Sequence, residues 1–144
     1  MKNFLILNGP NLNLLGIRNV AIYGSASMQD LQDYLIEYSL KIGVNLDFYQ
    51  SNHEGDLIDC LHDSINKYCG IVFNPAAYSH YSYALRDAVE SINIPVAEVH
   101  LSNIKNREEF RAKSVIAPVC VDQICGYGFD SYTKALDLLA KMTD

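Results

Sequence analysis

Short apolar runs separated by longer amphipathic stretches constrain this chain more than any other feature of its sequence. The runs are Phe4–Leu7, Val44–Tyr49, Gly70–Phe73, Val96–Val99 and Ile116–Ile124. The first, third and fourth show little polar alternation, as expected of strands buried on both faces of a parallel sheet. Helical patterns lie between them at Met28–Ile42, Glu54–Lys67, Tyr81–Ile92 and Arg107–Lys113, and a last one runs from Asp130 to Met142. Leu31, Tyr34, Leu35 and Tyr38 recur at i, i+3, i+4, i+7 and mark one buried helix face, and Leu57, Ile58, Leu61 and Ile65 repeat the pattern. Ser27 and Asp30 give an S-x-x-D helix start. This alternation predicts right-handed βαβ crossovers and an α/β, doubly wound, five-stranded parallel sheet. The 144 residues fit one domain, taken as residues 1–144.

The chain's charge narrows its partners. The net charge of −6 argues against nucleic acid, which calls for a basic face. It leaves room for an anionic small substrate, because a few local donors outweigh a distant negative field. Cys60, Cys69, Cys120 and Cys125 match no CxxC zinc or redox spacing and are read as reduced, mostly buried thiols. The opening MKNFLILNGPN has too short an apolar run for export, and no run approaches the roughly 20 residues of a membrane span. The expectation is a cytoplasmic protein that does not engage a membrane. No His/Cys/Asp cluster has metal-ligand spacing, so no metal is expected.

In open α/β sheets ligands bind beyond the carboxyl ends of the strands. The segments that fall there are Asn8–Gly24, Gln50–Glu54, Asn74–His80 and His100–Asn103. The first is long for a βα connection, where about 2–6 residues is usual, and is a candidate lid spanning about residues 11–26. It lacks the GxxxxGK[ST] and GxGxxG spacings of phosphate loops, which weighs against a flavin- or phosphate-binding module. Its Asn8, Asn11 and Asn13 offer neutral donors and acceptors, or simply Asx-turns. Arg18 and Tyr23 are five residues apart. A guanidinium beside a phenol favours the phenolate and makes a base of it; a surface Arg and a packed Tyr is the alternative. His100, at the end of the fourth run, is placed for acid–base work. Glu98 is read as pointing to the opposite face of the strand, hence not as its automatic partner. Backbone N–H groups at the Leu101-Ser102-Asn103 turn suit a carboxylate. His80 stands where the third strand gives way to a helix, and Asp87 about two turns further, roughly 10 Å away. One site could hardly use both from one subunit, so Asp87 is either a surface carboxylate or serves a neighbour. His53 is read as a loop donor and His62 as a solvated helix residue.

Several strings in order carry a resemblance. They are Leu7-Asn8-Gly9-Pro10-Asn11-Leu12-Asn13-Leu14-Leu15-Gly16, Tyr23-Gly24, Gln50-Ser51-Asn52-His53-Glu54-Gly55, Asn74-Pro75 and Tyr78-Ser79-His80. Ala84-Leu85-Arg86-Asp87-Ala88, Glu98-Val99-His100-Leu101-Ser102-Asn103 and Arg107-Glu108-Glu109-Phe110-Arg111 complete them. From Lys2 to about Leu139 the chain resembles the type II 3-dehydroquinate dehydratases. The resemblance implies a flavodoxin-like domain, assembly into a homododecamer as a tetramer of trimers, and reversible dehydration of 3-dehydroquinate to 3-dehydroshikimate in the shikimate pathway. It implies no metal or organic cofactor. It places the proton-abstracting base at Tyr23 with Arg18 in support, the proton donor at His100, and Asn11 beside the water that stabilises the enolate. Asn74, His80, Leu101, Ser102 and Arg111 fall at substrate-binding positions, and Asp87 at one that reaches in from an adjacent subunit. The chain departs from the family pattern at Asn19-Val20, at Tyr81 and Tyr83, and at Val121-Asp122-Gln123, where small residues are typical.

Overall fold

The computed structural model describes residues 1–17 and 20–143. Five parallel strands form the sheet: β1 (Asn3–Asn8), β2 (Asn45–Gln50), β3 (Gly70–Asn74), β4 (Val96–His100) and β5 (Asp122–Cys125), in the order β2-β1-β3-β4-β5. Around them run α1 (Val20–Tyr23), α2 (Met28–Ile42), α3 (Glu54–Asp63), α4 (Tyr83–Ser91) and α5 (Asp130–Met142). The two-residue period of a strand explains the layering. Phe4, Ile6, Val72, Ala97 and Val99 point to one face, where Leu31 and Leu35 of α2 and Leu136 and Leu139 of α5 cover them. Leu5, Leu7, Ile71, Phe73 and Val96 point to the other, against Leu57 and Leu61 of α3 and Leu85 and Val89 of α4. Helices on both faces of a parallel sheet make the doubly wound fold that the alternation predicts.

The helix ends follow their sequence signals. Ser27 Oγ accepts from Asp30 N at 3.1 Å while Asp30 Oδ2 accepts from Ser27 N at 2.9 Å, closing the capping box at the start of α2. Gly43 ends that helix in the left-handed conformation, φ 71°. Ser82 caps α4 by accepting from Leu85 N.

Several expectations are corrected. Arg107–Lys113 is not a helix but two short 3-10 turns, Ile104–Asn106 and Glu109–Arg111, separated by Arg107 and Glu108. The two apolar residues of that stretch, Phe110 and Ala112, are both exposed, so no buried face sustains a full helix. The fifth strand begins only at Asp122. Before it, Ala117–Val119 forms a 3-10 turn around Pro118, which has no N–H to give a sheet ladder. The second helix stops at Asp63, and Asn66 follows with φ 64°. The third begins at Tyr83, after its cap. Tyr34 and Ile65 lie partly outside the faces assigned to them. Tyr34 is exposed and donates its hydroxyl to Asp130 at 2.5 Å, and Ile65 is exposed beyond α3. The cysteines are less buried than expected: Cys69 is exposed and Cys60, Cys120 and Cys125 are half-buried. No helix among the described residues is long and apolar enough to cross a membrane.

Candidate functional site

The strand order reverses at β1, and the register sets the ends of its neighbours level: Asn8 pairs with Gln50 on one side and Asn74 on the other. The connections after β1 and β3 therefore diverge from one level of the sheet, the position where doubly wound sheets hold ligands. A narrow cavity of about 100 Å³ opens there. Asn11, Asn74, His80, His100, Leu101, Ser102 and Arg111 all line it, together with Pro10, Leu12, Ala76, Ala77, Ile104 and Arg107. A wider, open cleft of 560 Å³ runs along the sheet edge beside β2 and α3, walled by Asp47, Asp56, Asp59 and Asp63, and holds none of the candidate residues.

Asparagines build the floor. Asn74 Nδ2 donates to the Tyr132 hydroxyl at 2.9 Å, and that hydroxyl donates to Asn8 Oδ1 at 2.6 Å. Ala76 N donates to Asn74 Oδ1 at 3.0 Å. Each link fixes the direction of the next, so the Asn74 amide can face only one way and keeps one N–H and one lone pair for the cavity. Tyr132 is fully buried, and burial pushes its pKa up, keeping the hydroxyl a neutral donor. The left-handed φ of 54° at Ala76 turns the chain sharply after β3, against the ordinary preference of an L-residue.

The loop after β1 is pinned by close approach. Gly9 N donates to Asn74 O at 2.7 Å, and a Cβ on Gly9 would stand 2.6 Å from the Pro75 carbonyl oxygen, so only glycine fits. Asn11 has φ 70°, and its N–H donates to Asn52 Oδ1 at 3.0 Å. Gln50 Nε2 donates to the same Asn52 oxygen at 3.1 Å and to Gly9 O at 3.2 Å. Asn52 is thus a support that the sequence reading left without a role, although it stood inside a string singled out there.

A contact just behind the cavity wall overturns the expectation for Glu98. Residues 98 and 100 of a strand share a face, because side chains alternate with period two. His100 Nε2 lies 2.7 Å from Glu98 Oε2, and Glu98 is completely buried. A carboxylate accepts and the imidazole donates, so Nδ1 is the ring nitrogen left for other partners. His80 is arranged the other way round. Its Nδ1–H donates to the Lys113 carbonyl at 2.7 Å, which leaves Nε2 as an acceptor. Burial lowers the His80 pKa, against a smaller opposing effect of that carbonyl, and the nearby His100 and Arg111 lower it further. Arg111 Nε stands 2.5 Å from Glu108 Oε2 without a well-aligned N–H···O bond. Its guanidinium lies over the Phe110 ring at 4.8 Å. Two cationic side chains, Arg107 and Arg111, so face a cavity in a chain of net negative charge.

Asp87 does not join them: it is exposed on α4 and does not line the cavity. Arg18 lies outside the described residues, as does the side chain of Tyr23, whose backbone closes α1. His53 and His62 take no part in the wall. Among the described residues no group of three or more His, Cys, Asp or Glu side chains is placed to hold a metal ion.

The comparisons agree with one another. The sequence profile of the family described as "Dehydroquinase class II" matches residues 2–140. A protein of Bacillus pumilus (strain SAFR-032) named 3-dehydroquinate dehydratase is 55% identical over 139 residues, covering 96% of this chain and 95% of its own. A protein of the same name from Bacillus subtilis (strain 168) is 53% identical and covers 96% of this chain and 94% of its own. Among solved structures, the type II dehydroquinase of Butyrivibrio crossotus DSM 2876 superposes with a TM-score of 0.95 at 47% identity, over 96% of this chain and 97% of that one. That of Propionibacterium acnes gives 0.94 at 40% identity, over 98% and 97%.

Proposed function

The chain belongs to the class II dehydroquinase family, and we propose on that premise that it is a lyase that removes water from 3-dehydroquinate, reversibly, to give 3-dehydroshikimate. Tyr23 takes the proton from the carbon beside the ketone, with Arg18 favouring its phenolate. The electron pair moves onto the ketone oxygen as an enolate, and a water held by Asn11 meets the charge as it develops. The enolate then expels the hydroxyl on the next carbon. His100 delivers the proton that lets it leave as water, and the carbonyl reforms in conjugation with the new double bond. Nδ1 is the nitrogen suited to that delivery, since Glu98 holds Nε2 and stabilises the ring when it is charged. Asn74, the neutral His80 Nε2, and the Leu101-Ser102 turn take the ring hydroxyls and carboxylate, with Arg111 supplying positive charge. The observation that carries this reading is the buried Glu98–His100 pair on the wall of a cavity that also holds Asn74, His80 and Arg111.

The same proposal includes a lid over about residues 11–26, assembly into a homododecamer, and a cytoplasmic location. Asp87, exposed on α4 and outside its own chain's cavity, is the residue that such an assembly would bring to a neighbouring copy's site. Incubation with 3-dehydroquinate, followed by the ultraviolet absorbance of the conjugated enone, tests the activity. Absorbance should grow without added cofactor and after exhaustive chelation. No growth with folded protein, or growth that a chelator abolishes and one metal restores, refutes the mechanism.

A further inference from the structure

Glu98 accepts three side-chain hydrogen bonds. Ser114 Oγ donates to Oε1 at 2.7 Å, while His100 Nε2 and Gln123 Nε2 meet at Oε2, at 2.7 and 2.8 Å. Ser114 Oγ already accepts from Ile116 N and Ala117 N, so its single proton goes to Glu98. Gln123 Nε2 has only protons to give. Gln123 stands opposite Glu98 in the β4–β5 register, and their contact is a direct cross-strand pair. The last torsion of a glutamate side chain is broad and roughly two-fold, so a carboxylate held by fewer partners can pivot.

We propose that Gln123 is a positioning residue for the reaction: by sharing Glu98 Oε2 with His100, it fixes the carboxylate that holds the imidazole with Nε2–H donated and Nδ1 left for the cavity. The inference rests on the acid role of His100 proposed above. Glu98 and His100 lie on one strand, so their contact does not span the gap to β5. Gln123 closes that gap from the adjacent strand.

Two substitutions remove the donor and keep the strand: Gln123→Met, which retains an unbranched side chain of similar length, and Gln123→Val, which suits a β-strand. The expected result is a fall in kcat of about 5–20-fold with KM within about twofold, the worth of one positioning hydrogen bond. Proton NMR of the free enzyme gives a readout independent of turnover. The His100 Nε2–H resonance should broaden and exchange with water faster in both variants than in the parent. Unchanged kcat together with an unchanged Nε2–H line and exchange rate would overturn the proposal, even if the melting temperature fell, because Gln123 would then be a structural partner only. A parent chain without activity on 3-dehydroquinate would remove the functional reading, and the Nε2–H resonance alone would then support or overturn the role of Gln123.

Discussion

Tyr132→Phe tests the floor of the cavity with a single oxygen atom. The substitution keeps the ring among its neighbours but deletes the acceptor of Asn74 Nδ2 and the donor to Asn8 Oδ1. Asn8 is 1% exposed, and its remaining side-chain contact is a 3.8 Å approach of Nδ2 to Met28 Sδ, so its oxygen is left buried and unsatisfied. Such a group costs about 1–3 kcal/mol. Asn74 lines the cavity, where water can reach it, and recovers part of its loss. The sum is about 2–4 kcal/mol. For 144 residues at about 2.1 cal/mol/K each, the unfolding entropy is about 300 cal/mol/K, so Tm should fall by about 7–13 °C. The freed Asn74 amide should also rotate, raising KM by about 3–10-fold while kcat changes less. Thermal melts followed by circular dichroism at one protein concentration, with steady-state kinetics below the melt, check both numbers. A Tm within 2 °C of the parent, less than the roughly 3 °C that even 1 kcal/mol is worth here, would refute the buried network as described.

Other perturbations reach the remaining groups. Glu98→Gln keeps an acceptor for His100 but loses the negative charge and leaves one of three donors unmatched; kcat should fall about 10–10²-fold, and parental kcat would remove Glu98 from the reaction. Tyr23→Phe should lose both dehydration and exchange of the acidic substrate proton with deuterated solvent, whereas His100→Ala should lose roughly 10²–10⁴-fold of dehydration alone; dehydration by His100→Ala near the parent rate would end its acid role. Because burial holds the folded-state pKa of His80 below its unfolded value near 6.5, its contribution to stability is complete above that pH and is lost as pH falls through the lowered folded value. Urea unfolding from pH 8 to 5 should show this loss, and His80→Gln should flatten it; an equal slope in both proteins would count against a neutral, buried His80.

How much of this was legible before any coordinates depends on whether a signal is local. Periodicity is local, and it placed the helices α2 and α5 and the strands β1, β3 and β4 close to their bounds. It failed where a tertiary reason decides. Ile116–Ile124 looks apolar enough for a strand, but Pro118 and the Ser114 hydroxyl, which accepts from Ile116 N and Ala117 N, turn its first half into a cap-like loop. Arg107–Lys113 has the composition of a helix and nothing to bury, so it settles into short turns that present Arg107 and Arg111 to the cavity.

The site shows the same division at finer grain. Seven of the proposed residues reach one cavity because the strand ends are level, a consequence of parallel register that the order of the runs already implied. The partners that orient them are a different matter. Glu98 was within reach of the sequence, since two residues along a strand return to the same face, and the misreading of that period hid the pair. Tyr132 and Gln123 were not within reach: one is 124 residues from Asn8 and the other 25 from Glu98. Both are brought in by strand order and helix packing rather than by any spacing along the chain. Residues that touch a substrate sit on loops next to strand ends and leave short motifs behind, whereas those that hold them in place can come from any element that packs nearby. A chemical reading of the sequence therefore finds the cavity wall first and the supports behind it only when the fold is in hand.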